Sequence, residues 1–226
     1  MLIEVPNILD AAQVAYFRKR LDEADWVDGN VTSGHQAAKA KNNLQVPEES
    51  PIAKELGDII LKSLGRSALF MSAALPFRIF PPLFNCYRGG QSFGTHVDGA
   101  IRPLTGTGHR IRTDMSMTLF LSEPEEYDGG ELTIQEHFGP KSVKLKAGNL
   151  VLYPSSSLHK VTPVTRGARI SSFFWLQSMV RDDDIRTELF NMDVAIQKLT
   201  RDVPEHSGIV ELTGIYNNLI RRYAEI

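Results

Sequence analysis

The 226 residues contain one cysteine, Cys86. That excludes an intramolecular disulfide and any zinc or iron–sulfur site built on several thiolates. Any metal chemistry must therefore draw on histidines and carboxylates. Cys86 itself sits in FNCYRG, a strand-like run, and reads as a buried bystander rather than a nucleophile. The chain also lacks an apolar run near the roughly 20 residues of a membrane span, and its start, MLIEVPNILD, lacks the basic and apolar regions of a signal peptide. The expected location is the cytoplasm, with no membrane partner. Nor is there an excess of one charge: a net charge of -2 supplies no basic field, so nucleic acid is not an expected partner. The GTG of residues 106–108 has no Lys-Ser/Thr behind it and is not a phosphate loop. No HxH pair occurs either, which weighs against a zinc site of closely grouped histidines.

What the chain does have is the composition of a soluble globular protein, 42% hydrophobic and 23% charged, and enough length for one large domain. Asp10 can cap a helix running to about residue 24, with Val14, Phe17 and Leu21 on one face. Ser50 and Pro51 open a second helix through Leu64 to Gly65. From about Leu83 to Gln177 the texture changes to short β-branched and aromatic runs (LFNCY, SMTLFLS, ELTIQ, SVKLK, NLVLYP, HKVTPV, RISSFFWLQ) separated by Gly, Pro, Asn and Asp. Such spacing indicates an antiparallel barrel or sandwich. After Arg181 the helical period returns, acid-rich at its start, and a last helix lies around GIVELTGIYNNLIRRYAEI. The expected fold class is α+β: N-terminal helices over about 1–80 and a β core over about 81–180 forming one domain, 1–180, followed by a C-terminal helical extension, 181–226. The stripe Ile209, Leu212, Tyr216, Leu219, Tyr223 either covers the barrel or mediates a homodimer.

The stretch GTHVDG, residues 94–99, carries the first chemistry. In extended chain, residues two apart face the same way, so His96 and Asp98 present an imidazole and a carboxylate to one point. A mononuclear non-haem Fe(II) site needs two histidines and one carboxylate on one face of the ion. Among the remaining histidines, His35, His109, His137 and His206 lie in polar or turn-like stretches and read as surface positions. His159, opening the late strand HKVTPV, is the candidate third ligand. In GARISSFFWLQ, alternation places Arg169, Ser171, Phe173 and Trp175 on one face of a strand apolar on both sides. A guanidinium there needs an anion. Two partners fit: a structural Asp or Glu, or the far carboxylate of a cosubstrate chelating the same metal, with Ser171 adding a hydroxyl. Arg169 follows His159 by ten positions across the turn VTRGA, so the two strands are expected to pair as neighbours.

The order His96-x-Asp98, His159, Arg169-x-Ser171 resembles the Fe(II)- and 2-oxoglutarate-dependent dioxygenases. The wider text, NCYRGGQSFGTHVDG, YDGGEL and YPSSSLHKVTPVTRGARISSFFWLQSMVRD, is similar to their prolyl 4-hydroxylase-like branch and, within it, to the PKHD-type hydroxylases over nearly the whole chain. The resemblance implies a double-stranded β-helix, a jelly-roll or cupin-like barrel. It implies His96, Asp98 and His159 as ligands of Fe(2+), and Arg169 as the partner of the 5-carboxylate of 2-oxoglutarate. Tyr87 corresponds to a family tyrosine near the cosubstrate, or is a plain core tyrosine. Gly129 and Gly130 serve backbone geometry, and Glu131 is no ligand. Asp98 excludes the halogenase variant. The implied reaction consumes O2 and 2-oxoglutarate, releases succinate and CO2 and hydroxylates a C–H bond, with L-ascorbate as auxiliary reductant. The substrate stays open: a small molecule, a siderophore in keeping with the iron-uptake association of such relatives, or a peptide or protein. Ala100–Arg112, with Arg102, Arg110 and Arg112, is either a lid favouring anionic substrates or a solvated basic loop. Two rival readings remain, a cupin-like binding module without turnover and a metal-dependent hydrolase that activates water.

Overall fold

The computed structural model describes residues 1–32, 40–136 and 138–226. His35 and His137 lie outside the described residues, whereas His109 and His206 are exposed. No helix among the described residues is long and apolar enough to cross a membrane.

Helix α1, Ala11–Asp22, starts where Asp10 accepts from the Gln13 amide and Gln13 answers the Asp10 amide, a reciprocal cap that satisfies two orphan donors. It buries Phe17 and Leu21. Helix α2, Pro51–Leu64, has proline in its first turn, where the missing N–H costs nothing, and buries Leu56, Ile60 and Leu64. A short α3, Ala68–Ala74, follows with Ser67 as its cap. Sequence periodicity did not expose it because seven residues give barely two turns.

Two antiparallel sheets form the centre. The larger has eight strands. At its heart Ala168–Ser178 pairs with Leu83–Arg88 on one side and Met115–Phe120 on the other, and Leu150–Pro154 lies beyond Met115–Phe120. The smaller has five strands, among them Leu132–Glu136, His159–Val161 and Ser92–His96 in adjacent positions. The 11-residue strand Ala168–Ser178 is buried along nearly its whole length, so it reads as a continuous apolar run rather than as an alternation.

One expectation fails here. The strands of His159 and Arg169 are not neighbours; they belong to opposite sheets. The strand with His159 ends after three residues at Thr162-Pro163, where proline has no N–H to continue a ladder. The chain then crosses through Val164–Arg166, paired with Asp128–Gly129, and turns at Gly167, whose φ of 69° suits glycine. Crossing the sandwich brings the two side chains toward each other across its interior instead of along one sheet.

Segment 100–112 also differs from a loop. Ile101–Pro103 and Arg110–Arg112 form a two-stranded hairpin. Its base is tied down by Arg112, which pairs with Asp114 at 2.7 Å and with Glu225 of the C-terminal segment at 3.1 Å. Helices α4, Asp183–Asp202, and α5, Gly208–Tyr223, close the chain. Tyr216, Leu219 and Ile220 of α5 pack toward Leu75, Val180 and Leu189, so Tyr216 and Leu219, two of the five residues of the expected stripe, are spent inside the molecule.

Candidate metal centre

Antiparallel pairing sets His96 directly opposite His159 on adjacent strands. The rings lie 4.2 Å apart between centroids. Each ring is held by its Nδ1: that of His96 is 2.8 Å from the Gly94 carbonyl, and that of His159 is 3.0 Å from the Ser157 carbonyl. A carbonyl can only accept, so Nδ1 carries the proton in both and Nε2 is left as a lone pair. Asp98, two residues past the end of the His96 strand, meets both lone pairs. His96 Nε2 is 3.9 Å from its Oδ1, and His159 Nε2 is 3.7 Å from its Oδ2. One ligand atom from each of the three residues lies within 4.8 Å of the others. Burial, reinforced by the neighbouring His159, pushes His96 down to about 4, so the ring is neutral at pH 7 and free to donate its lone pair. Phe93 stacks on His96 at 3.6 Å and Tyr153 sets its ring at an angle to His159 at 5.2 Å, which fixes both imidazoles.

Two residues of this centre were not identified from sequence. Ser116 donates to Asp98 Oδ2 at 2.5 Å, and Ser155 lies 2.7 Å from the Ser116 hydroxyl. The signal was present: Ser116 and Thr118 are polar positions two apart in a strand that is otherwise apolar and fully buried. A polar residue on such a strand must have a partner.

The triad opens into a cavity of about 670 Å³ between the sheets. Arg169, 1% exposed, lines its inner part. Its Nη1 donates to Ser171 Oγ at 2.7 Å, and Ser171 in turn donates to Asn85 Oδ1 at 2.6 Å. The register explains the set, since Arg169 faces Tyr87 and Ser171 faces Asn85 across the two strands. The guanidinium carbon lies 5.4 Å from the Tyr87 ring and 5.2 Å from that of Phe120. Burial pushes the Tyr87 hydroxyl up to about 12, so it faces the cavity as a neutral donor. Among the described residues no carboxylate forms an ion pair with Arg169, and its buried Nε has no partner. The structural-acid alternative for Arg169 is thereby removed. Ser171 does not line the cavity; its hydroxyl aims the guanidinium. Gly130 permits the approach: at φ 68°, a Cβ there would come within 3.1 Å of Arg169 Cδ and 2.9 Å of Val164.

Residues 82–177 match the 2OG-Fe(II) oxygenase superfamily and residues 183–225 match the PKHD-type hydroxylase C-terminal domain. The chain is 61% identical to a PKHD-type hydroxylase of Saccharophagus degradans, the alignment covering 100% of both chains. The chain belongs to the PKHD-type hydroxylases. PKHD-type hydroxylase PiuC of Pseudomonas aeruginosa is 57% identical, again over 100% of both. The crystal structure of a Pseudomonas putida prolyl-4-hydroxylase shares the fold, with a TM-score of 0.51 at 20% identity, covering 78% of this chain and 92% of that one. This fold is the double-stranded β-helix of the 2OG-Fe(II) oxygenases. As a PKHD-type hydroxylase the protein is a 2-oxoglutarate-dependent oxygenase that uses Fe(II) and O2, which sets aside the readings as a binding module without turnover or as a hydrolase.

The chain's own residues fit those cofactors. Two imidazoles and a carboxylate converging on one point suit a divalent iron. A buried guanidinium with no acid beside it among the described residues, on the same cavity, suits a dicarboxylate.

Proposed function

We propose that His96, Asp98 and His159 hold the Fe(II), that Arg169 takes the far carboxylate of 2-oxoglutarate with Tyr87 beside it, and that the enzyme hydroxylates a C–H bond of a small-molecule, siderophore or peptide substrate. The two sheets are read as the halves of a jelly-roll. Succinate and CO2 leave, L-ascorbate serves as auxiliary reductant, and the work is done in the cytoplasm beside bacterial iron uptake. The observation that carries the reading is Arg169, a fully buried cation without an acid, placed on the cavity into which the histidine lone pairs converge.

When bound, iron and 2-oxoglutarate supply the oxidising power that O2 alone cannot apply to a closed-shell C–H bond. The chain supplies position. The Gly94 and Ser157 carbonyls hold the Nδ1 protons and so keep both Nε2 atoms available. Ser116 holds one oxygen of Asp98 and leaves the other to bind. Ser171 and Asn85 hold the guanidinium fork in place before the cosubstrate arrives, so little ordering cost remains to be met on binding. Phe93, Phe173, Trp175 and Met117 wall the cavity against water.

The test needs no substrate. Titrating 2-oxoglutarate into anaerobic protein loaded with Fe(II) should raise a visible metal-to-ligand charge-transfer band. The band should vanish in His159→Ala and require far more 2-oxoglutarate in Arg169→Ala. Iron binding without a band in the wild type would overturn the assignment.

A further inference from the structure

The cavity has a second basic region that the cofactors do not use. Arg102, on the hairpin of residues 101–112, lays its guanidinium 4.0 Å from the Trp175 ring and 5.0 Å from that of Phe80. None of its nitrogens donates a hydrogen bond to a described residue, and its Nε is buried without a partner. The negative charges acting on it are those of Asp98 and Glu48, and neither forms an ion pair with it. Lys41, 7% exposed, sits beside the same cavity between the rings of Phe93 and Phe173, 5.7 Å from each, donating to Gly29 O and Gln45 Oε1. Burial first, and then the charge of Arg102, push the Lys41 ammonium down, so the two cations oppose each other.

A charge count over the cavity shows what is missing. With the cofactors in place, the two positive charges of the metal and the one on Arg169 are matched by Asp98 and the two carboxylates of 2-oxoglutarate. Asp98 is thereby spent, and Arg102 is left without a carboxylate among the described residues, beside an apolar rim. That rim includes Val97 and Ile101, 46% and 54% exposed although both are apolar. Holding the Arg102 guanidinium in a partly buried site is costly unless an anion arrives.

We propose that this region anchors the substrate, which carries an oxyanion group, carboxylate or phosphate, joined to an apolar body. Arg102 grips the oxyanion, Lys41 adds charge, and Val97, Ile101 and Phe173 pack the body next to the metal. The proposal rests on the cofactor placement above, because that placement is what removes Arg169 and Asp98 from the count. Arg102 is suited to the task. The aromatic faces beneath it fix the plane of the fork without consuming its donors. The hairpin that carries it is anchored at its base by Arg112 and by Thr113, whose hydroxyl donates to Gly99 O at 2.7 Å.

The experiment is calorimetric titration of anaerobic protein loaded with Fe(II) and 2-oxoglutarate, using phenylacetate, phenyl phosphate and the neutral phenylacetamide. At least one of the two anions should bind tenfold or more tighter than the amide, and the stronger of the two names the oxyanion. Arg102→Met and Arg102→Gln should remove the preference while the charge-transfer band saturates at the same 2-oxoglutarate concentration as in the wild type. Arg110→Met, altering an exposed arginine of the same hairpin, should leave the preference unchanged. Equal binding of anions and amide, no binding of either anion, or a preference that survives both Arg102 variants would overturn the proposal. A wild type that shows the anion preference but no band would keep the anchor and sink the cofactor assignment instead, so the two failures are separable.

Discussion

Arg169 and Arg102 are two guanidiniums on one cavity, both lying against aromatic rings and both without a carboxylate, yet the molecule holds them in opposite ways. Arg169 is on the central strand of an eight-stranded sheet, paired on both sides, and its fork is set by Ser171 and Asn85. Arg102 is on a hairpin of two three-residue strands and is positioned only by stacking on Trp175 and Phe80. A cosubstrate that is the same in every turnover can be met by a group locked in advance. A group that receives the variable partner sits where the backbone is least committed. That difference is what the proposed division of labour requires, with 2-oxoglutarate at Arg169 and the substrate at Arg102.

The largest effect should come from the centre both arginines flank. His159→Ala removes one of the three proposed metal ligands, and with it metal stabilisation of several kcal/mol. Succinate formation at saturating 2-oxoglutarate should fall on the order of 1000-fold, measured by single-turnover product analysis. Arg169→Met comes next and separates the two cations directly. Losing a buried, hydrogen-bonded charge partner costs about 2 to 5 kcal/mol, so the 2-oxoglutarate concentration needed to saturate the charge-transfer band should rise by roughly 30-fold or more. Comparable cosubstrate affinity in Arg169→Met and Arg102→Met would erase the division of labour.

How much of this was legible in the chain follows the same division. His96 and Asp98 could be placed together from their spacing because extended backbone has a fixed period. Arg169 stood out because a cation in an apolar strand is chemically anomalous. The α1 and α2 helices were legible through Asp10, Pro51 and their apolar stripes. The opposed sheets of His159 and Arg169 were not, because a three-residue strand has no period to reveal and the crossover depends on Pro163 and Gly167. Arg102 was visible only as one of three arginines in a polar stretch. Its selection over Arg110 and Arg112 depends on how the hairpin docks onto Trp175, a contact between residues more than 70 positions apart.

A smaller effect should come from the support of the Asp98 carboxylate. Ser116→Ala deletes the donor to Asp98 Oδ2 without touching a ligand. Losing such an outer hydrogen bond costs about 10- to 100-fold in metal affinity, which competition with a chelator would measure. Unchanged affinity would show that Asp98 is held by its backbone alone.

The smallest effect concerns Lys41, the partner of Arg102. Burial, helped by the charge of Arg102, pushes its ammonium down to about 8 from an ordinary value of 10.5. Between those two values the unfolded chain holds a proton that the folded protein has shed. The unfolded state then binds more protons, so stability from this group rises with pH across the window. Below about 8 both states are charged and the contribution is flat at its least favourable. Tyr87 and Tyr153 act in the opposite sense: burial raises both hydroxyls, so the unfolded state loses their protons first and stability falls with pH near and above 10. The clean comparison is therefore between pH 8 and 9.5, wild type against Lys41→Met, in the metal-free protein. The wild type should gain about 1 kcal/mol relative to the variant, worth roughly 2 to 4 °C in Tm. Parallel curves would mean that Lys41 keeps an ordinary ammonium and that the hairpin end of the cavity is less confined than its burial indicates.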